Sequence, residues 1–227
     1  MPNAQNVSTP FTRLLVGQFG LHYTDVRQSI GAVDDEKGYL WDVVAKVNRV
    51  KDETPALIRG DFDYGFSLPM ANSSLWLRTA AGIGTGHRDN PVSQFYFGGF
   101  GNNYVDAGAI KRYREYESMP GFGIDEISGL NFVRELVEWN APPVIFESAG
   151  TPGFYLNWLR PAVFGAALWT DVSNASRRHD YQSLGTQVDL RFHVLHWYDM
   201  TLSVGYAVGF KGARRAGDEF MISLKII

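Results

Sequence analysis

Three polar side chains that alternate along one short stretch are the strongest candidates for chemistry in this sequence. Asp189, Arg191 and His193 are spaced two residues apart, so in an extended chain they lie on one face. A carboxylate, a guanidinium and an imidazole in a row could carry out acid–base catalysis. The same row could also form a network of paired charges, and this is the plainer interpretation. The chain is therefore not expected to be an enzyme.

Two short motifs imitate nucleotide-binding sites without their context. GIGTG at 82–86 ends a predicted strand and opens no periodic helix, so it is interpreted as a turn. HRDN at 87–90 lacks the rest of the kinase signature. The chain contains no cysteine, which excludes disulfides, thiolate metal ligands and a cysteine nucleophile. We expect no catalytic residue, no metal site and no cofactor.

The elements that position these residues alternate between large apolar and small or polar side chains. In TLSVGYAVGF (201–210), one face carries Leu, Val, Tyr and Phe, and the other carries Thr, Ser, Gly and Ala. A period of two is typical of a β-strand with two different faces. Comparable stretches predict about nine strands of roughly ten or more residues. They lie at 13–26, 38–50, 57–69, 73–85, 126–139, 153–170, 183–197, 200–210 and 218–227.

The length of these strands and the character of their polar faces favour a membrane. Strands of soluble proteins average about five or six residues, whereas roughly ten are needed to cross a bilayer at a tilt. The polar faces mix small residues with charges of both signs, as the interior of a barrel does. Tight links alternate with long ones at 86–125 and 171–182. The sequence predicts an all-β fold, an antiparallel transmembrane β-barrel with its bulky side chains toward lipid.

The predicted barrel has an odd number of strands, which a closed single-chain bacterial barrel does not have. We therefore expect the chain to be the C-terminal part of a larger barrel. Residues 1–12 are predicted to be an N-terminal extension or linker, and residues 13–227 the barrel domain. The long loop 86–125 is expected to fold into the lumen.

Composition limits the partners that the chain can have. The formal net charge is −3 and the basic residues are scattered, so nucleic acid is not an expected partner. No segment has the roughly 18 uninterrupted apolar residues of a membrane-spanning helix. The N-terminus lacks the basic and apolar regions of a secretion signal. We interpret this as a further indication that the chain belongs to a longer polypeptide.

The order of motifs from residue 95 onward resembles the C-terminal part of the bacterial surface-antigen family. The residues concerned are FYFGGFGNN (95–103), RYREYESMPGFG (112–123), EISGLNFVRELVEWNAPP (126–143), RPAVFGAALWTD (160–171), LGTQVDLRFHVLHWYDMTLSVGYAVGF (184–210) and the terminal DEFMISLKII. That family contains barrels that insert outer-membrane proteins and barrels of two-partner secretion. The resemblance implies a Gly-Gly segment, a loop that folds back into the lumen, and five strands after it.

One element of the family's loop is missing here. The resemblance implies an Arg before a Gly and an aromatic residue, paired with an Asp on a later strand. Gly121 and Phe122 match, but Pro120 stands in the position of the Arg, and the partner segment 163–166 has no Asp. We expect Arg112 or Arg114 to anchor the loop instead, paired with a lumen carboxylate such as Glu138 or Asp189. The alternative is that both arginines are solvated.

The resemblance implies a function without chemistry, in the outer membrane of a Gram-negative bacterium. The expected activity is translocation of a polypeptide or insertion of a membrane protein. The alternatives are a passive pore or membrane anchor for an upstream domain, and a soluble β-barrel or sandwich that binds a ligand. The expected partners are outer-membrane lipid, a polypeptide substrate or upstream periplasmic domain, and the outer-membrane assembly machinery. That machinery would read the alternating C-terminal signal Phe220, Ile222, Leu224 and Ile226 by strand pairing.

Overall fold

The protein is built almost entirely from β-strands. The computed structural model describes residues 14–50, 53–101, 105–106, 109–195 and 197–226; the predicted extension 1–12 lies outside them. In chain order the strands are β1 (Leu15–Arg27), β2 (Lys37–Arg49), β3 (Ala56–Ser67), β4 (Ser74–Gly84), β5 (Phe95–Phe97), β6 (Val105–Asp106), β7 (Ile127–Gly129), β8 (Asn131–Asn140), β9 (Val144–Ile145), β10 (Gly150–Thr151), β11 (Phe154–Thr170), β12 (His179–Val194), β13 (Tyr198–Lys211) and β14 (Arg214–Ile226). Two single-turn 3₁₀-helices span Pro91–Ser93 and Arg112–Arg114. No helix in the described ranges has the length and apolar character needed to span a membrane.

Nine strands of ten residues or more are present in the described chain, which confirms the number predicted from the alternation. Their bounds follow the predicted ranges to within a few residues at most ends. The predicted strand 126–139 differs, because its first part forms the separate strand β7, which pairs with β5 instead of continuing β8. The loop predicted at 171–182 is also shorter, since β12 already begins at His179.

The nine long strands form one antiparallel meander. Each pairs with the next long strand along the chain, in the order β1-β2-β3-β4-β8-β11-β12-β13-β14. The short strands β9 and β10 extend the pairing of β11, and β6 runs parallel to the C-terminal end of β14. In the described residues the sheet is open, with β1 at one edge and the β14–β6 pair at the other. The antiparallel all-β prediction is confirmed, whereas closure into a barrel is not observed.

Burial of the two sheet faces is inverted relative to a soluble sandwich. On β13 the small or polar residues Thr201, Ser203, Gly205 and Ala207 are buried, while Tyr206 is 41% exposed. On β14 the face of Phe220 is turned outward and that of Lys225 is buried. Large apolar side chains are exposed along the same face of the other long strands, including Phe19, Leu21, Val43, Val47, Ile58, Phe62, Leu77, Val137, Val163 and Leu184. The bulky face is therefore the outer one and the small and polar face is the inner one.

The inner face is covered by the segment between β4 and β8. Its aromatic side chains contact the sheet directly: Tyr113 stacks on Phe164 with 4.2 Å between ring centroids, and Phe97 meets Phe132 edge-on at 4.8 Å. The core cluster lies between this segment and the sheet and consists of Ala80, Phe95, Phe97, Phe100, Tyr113, Met119, Phe122, Ile127, Phe132, Leu136, Phe164, Ala166, Leu168, Ala207 and Met221. The segment, which we call the inner loop (residues 85–130), thus packs against the inner face of the sheet, where β8 and β11 also contribute the large apolar side chains Phe132, Leu136, Phe164 and Leu168.

Candidate functional site

The inner loop crosses the interior along its length. It leaves β4 at Gly84 and re-enters the sheet at Asn131, at one end of the strands. The Lys111 Nζ nevertheless donates a hydrogen bond to Oδ1 of Asn140, the last residue of β8. With ten residues in β8 and a rise of about 3.3 Å per residue, the loop reaches roughly 30 Å from its point of return. Because the loop runs from one end of the strands to the other, it can contact polar groups at both ends of the sheet.

The half of the loop that contains Gly121 and Phe122 docks on β12 to β14. Gly121 has a φ of +92°, and a Cβ there would come within 2.4 Å of the Gly209 nitrogen. The Gly121 N–H donates to Oε2 of Glu219 at 3.1 Å, and the Phe100 N–H donates to Oε1 at 3.2 Å. Phe122 packs edge-on against Tyr181 at 5.6 Å. A carboxylate on β14 therefore holds the loop backbone at this point.

Pro120 stands where the resemblance implies an arginine, and the loop is still anchored to the sheet at this position. The Ser183 hydroxyl on β12 donates to the Pro120 carbonyl oxygen at 2.6 Å. The sequence did not predict the anchoring role of Ser183 and Glu219, because nothing in it distinguishes them from the other inward-facing residues of their strands. The anchor here consists of backbone groups bound by side chains of the sheet.

The predicted contact between Arg114 and Glu138 is present. Glu138 on β8 is completely buried. The Arg114 guanidinium donates to both of its oxygens, from Nη2 to Oε1 at 2.8 Å and from Nε to Oε2 at 2.9 Å. The Tyr113 hydroxyl also donates to Oε1, at 2.8 Å. This fork-shaped pairing fixes the loop turn against β8.

Further charged groups surround this pair and form what we call the ionic cluster: Asp34, Asp63, Arg78, Lys111, Tyr113, Arg114 and Glu138. On the sheet side, Arg78 of β4 bridges Glu138 and Asp63, with 3.2 Å from its Nε to Oε2 of Glu138. On the other side, Nη2 of Arg114 donates to Oδ2 of Asp34 at 2.6 Å. Asp34 belongs to the connection between β1 and β2. The cluster therefore joins the inner loop to the three strands β3, β4 and β8 and to a second connection.

The electrostatics of the loop residues follow from burial among opposite charges. Burial alone would raise the pKa of the Asp34 carboxyl, but Arg114 and Lys111 together hold that pKa well below its usual range. Burial lowers the pKa of Lys111 and the nearby Arg114 lowers it further, against the pull of the carboxylates. Burial and the adjacent Glu138 raise the pKa of the Tyr113 hydroxyl well above normal. Asp34 is therefore ionised and Tyr113 neutral near pH 7.

The other predicted site residues lie in three separate places. Arg112 lies in the turn of the inner loop, Asp189 lies on β12 beside Gln187, and Arg191 and His193 lie beside Asp199 of β13. Arg112 pairs with Glu115 in its own turn, with 3.0 Å between Nε and Oε1. Asp189 is buried and accepts from Gln187 at 2.7 Å and from Ser203 at 2.6 Å.

The row of Asp189, Arg191 and His193 does not act as one cluster. Arg191 and His193 both pair with Asp199 of β13, with 2.7 Å from the arginine Nη2. The ring of His193 also contacts the Asn157 amide at 2.5 Å through Nε2. Arg191 and His193 therefore contact a carboxylate of the neighbouring strand, whereas Asp189 is held by the neutral side chains of Gln187 and Ser203.

The C-terminal residues Phe220, Ile222, Leu224 and Ile226 share the outer face of β14. Phe220 is 67% exposed, and Ile222 and Ile226 are exposed to a lesser degree. One edge of β14 pairs with β13, and the other meets only the short strand β6, at Leu224 and Lys225, in the described part of the chain. This geometry leaves most of that edge open to another strand, while a role as an assembly signal stays a prediction.

Two polar cavities lie between the inner loop and strands β1 to β4. One, of about 340 Å³, is lined by Asp61, Asp63, Arg78 and Arg134, among others, and the other, of about 380 Å³, includes Gln18, Lys46 and Tyr116. Charges of both signs line the first cavity. Within the described ranges, no group of three or more His, Asp or Glu side chains is arranged to hold a metal ion.

Comparison of the chain with protein-family models, with curated proteins and with solved structures returned no match. The resemblance to the bacterial surface-antigen family and the outer-membrane location therefore stay predictions.

Proposed function

We propose that this chain forms part of the wall of an outer-membrane β-barrel of the surface-antigen type, which translocates or inserts polypeptides. The observation that carries the proposal is the burial of the long strands after β1, which expose bulky apolar side chains on the outer face and bury charged groups such as Arg78, Arg134, Glu138 and Lys225 on the inner face. Removing one large apolar side chain from water is worth about 1.5–3 kcal/mol. Because many such side chains share one continuous face, a hydrocarbon environment stabilises the fold far more than water does.

The soluble sandwich is a weaker alternative for the same reason. Soluble monomers rarely expose a continuous apolar surface of more than a few hundred Å². A sandwich would also require the outer side chains to pack in a dry core, whereas Phe19, Phe62 and Phe220 are each more than 45% exposed. The polar inner face would in that case be the surface, and here it is buried under the loop.

The proposal requires additional strands. Unpaired backbone groups of β1 and β14 would be exposed to hydrocarbon at the two edges of the open sheet, at a cost of several kcal/mol for each unsatisfied group. We infer that strands from a longer polypeptide or from a second subunit close the wall.

A membrane anchor for an upstream domain is the second candidate, and the inner loop favours it. The loop crosses the interior and is fixed by the buried Glu138, by Asp34 and by Glu219. A lumen filled in this way does not conduct unless the loop moves. The chain would then serve as a tether and not as a channel.

Two measurements distinguish these functions. The chain is refolded with and without detergent, and its association state is measured by sedimentation. We expect a dispersed folded species only with detergent; a folded monomer in plain buffer would contradict the membrane proposal. Conductance is then recorded in planar bilayers for the full polypeptide. Rare openings that become frequent after disruption of the loop contacts support a gated translocator, whereas silence in both forms supports the anchor.

A further inference from the structure

A third cavity is lined by a buried arginine, Arg160, which forms no hydrogen bond with the ionic cluster. Arg160 on β11 is 2% exposed. All three of its guanidinium nitrogens lack a hydrogen-bond partner among the described residues. The nearest carboxylate oxygen is Oδ2 of Asp34, which lies 3.7 Å from Nη1. A buried guanidinium carries five donors, and leaving them unsatisfied is unfavourable.

The neighbouring carboxylates are already engaged by other groups. Asp189 faces Arg160 across the β11–β12 pair, but its Oδ1 accepts from Gln187 and Ser203. Asp34 accepts hydrogen bonds from Arg114 and from the backbone N–H of Asp35. Glu115, which also lines the cavity, pairs with Arg112. Among the described residues, none of these carboxylates forms a hydrogen bond with Arg160.

The cavity has space for a guest. Its volume is about 270 Å³, and Lys111, Arg114 and Arg160 contribute three cations to its wall, with Trp158 beside them. A tetrahedral oxyanion presents several acceptor oxygens at once, and guanidinium groups bind it through paired N–H donors. An acceptor-rich anion complements the unused donors of Arg160 better than a neutral or cationic group.

We propose that this cavity binds a phosphate group, with Arg160 as its main ligand and Lys111 and Arg114 as supporting cations. The Asp34 carboxylate lies at the same place and competes with the guest. The inference goes beyond the proposed function, because it depends on the inner geometry alone and not on what the outer face contacts. Two sources share this chemistry: free inorganic phosphate and the phosphate of a lipid headgroup.

The test measures binding to the folded chain in a nonionic detergent. Inorganic phosphate and a short-chain phosphatidic acid are titrated separately by calorimetry, with Arg160→Gln as the variant and Arg215→Gln, an exposed hairpin residue, as the matched control. We expect saturable binding by the wild type and by the control, and at least about tenfold weaker binding by Arg160→Gln, a loss of about 1.4 kcal/mol. Binding of the inorganic ion alone identifies a free anion, and much tighter binding of phosphatidic acid identifies a headgroup.

A second variant protects the test against misfolding of Arg160→Gln. Asp34→Asn removes the competing charge, so phosphate should bind it more tightly than the wild type. The proposal is overturned if neither probe saturates, if Arg160→Gln binds as well as the wild type, or if Asp34→Asn weakens binding.

Discussion

At the scale of single residues, the interior is held together by paired charges that are buried or half-buried. Glu138 is the centre of this arrangement, since Arg78, Tyr113 and Arg114 all donate to it. The sequence offered Arg112 or Arg114 as a replacement for the missing family arginine, with Glu138 or Asp189 as its partner, and the structure pairs Arg114 with Glu138. No sequence signal pointed to Asp34, because a residue in a connection reaches its partner through the fold and not through any local pattern.

Replacing Glu138 should be costly. In Glu138→Gln the cations Arg78, Lys111 and Arg114 lose their buried carboxylate, and breaking such a buried pair costs about 3–5 kcal/mol. We expect the free energy of unfolding in detergent, measured by urea titration, to fall by this amount. The exposed Glu147→Gln is the matched control and should change it by less than about 0.5 kcal/mol. Equal effects of the two substitutions would refute a central role for Glu138.

Lowering the pH should destabilise the folded chain through protonation of Asp34. Its pKa in the folded chain lies below that of the unfolded chain, which is about 3.9. The stabilisation from Asp34 is therefore complete above this value and is lost as the pH falls toward the folded-state pKa. We expect the difference in unfolding free energy between wild type and Asp34→Asn to be constant above about pH 5 and to shrink on further acidification. A difference that instead grows in acid would mean that Asp34 is not paired in the folded state.

At the scale of elements, each strand follows from its own sequence, whereas the inner loop does not. The alternation of residues such as Ser203 and Val204 determines strand, face and neighbour order, since sequential strands usually pair. The loop has no such period. Its course depends on contacts between residues far apart in the chain, such as Gly121 with Glu219 and Lys111 with Asn140. The sequence predicted that the loop 86–125 folds into the lumen, through its resemblance to the surface-antigen family, but it did not predict these contacts.

The loop contact at Arg114 should control access of proteases. Without the guanidinium, the turn at 112–114 loses its hydrogen bonds to Glu138 and Asp34. Arg114→Ala should therefore be cleaved within the inner loop several-fold faster than the wild type under limited proteolysis. Arg215→Ala, which removes an exposed pair with Asp218, serves as the control. Unchanged cleavage of Arg114→Ala would show that the loop is anchored elsewhere.

Close approach between loop and sheet gives a second prediction at this scale. A Cβ at Gly209 would lie 2.7 Å from both the Gly121 carbonyl oxygen and the Phe122 ring, whereas a Cβ at Gly165 on β11 meets only Leu184 at 3.8 Å and the Ser183 carbonyl oxygen at 3.9 Å. Gly209→Ala should lower the free energy of unfolding by about 1–3 kcal/mol through overpacking. Gly165→Ala should be nearly neutral. Urea unfolding of both variants provides the measurement, and a neutral Gly209→Ala would argue against loop docking on β13.

At the scale of the whole molecule, the account depends on which solvent the outer face contacts. The direction of the bulky side chains was predicted from the period of two, and the clearest example is β13, where Ser203 is buried and Val204 is exposed; β1 is an exception, because both of its faces are exposed. Closure into a barrel is not observed. The described parts of β1 and β14 do not pair with each other, and closure requires a partner for each of these edge strands. The exposed apolar face is the feature that the proposed bilayer environment explains.

Neighbouring positions on β13 offer the most direct test, because the natural chain has no cysteine. Single cysteines are introduced at Val204, on the outer face, and at Ser203, on the inner face, and each is spin-labelled after reconstitution in lipid vesicles. The account predicts that lipid-soluble oxygen relaxes the label at position 204 strongly and the label at 203 weakly. Equal oxygen access at both positions, or a label at 204 that responds to a water-soluble nickel complex instead, would contradict it.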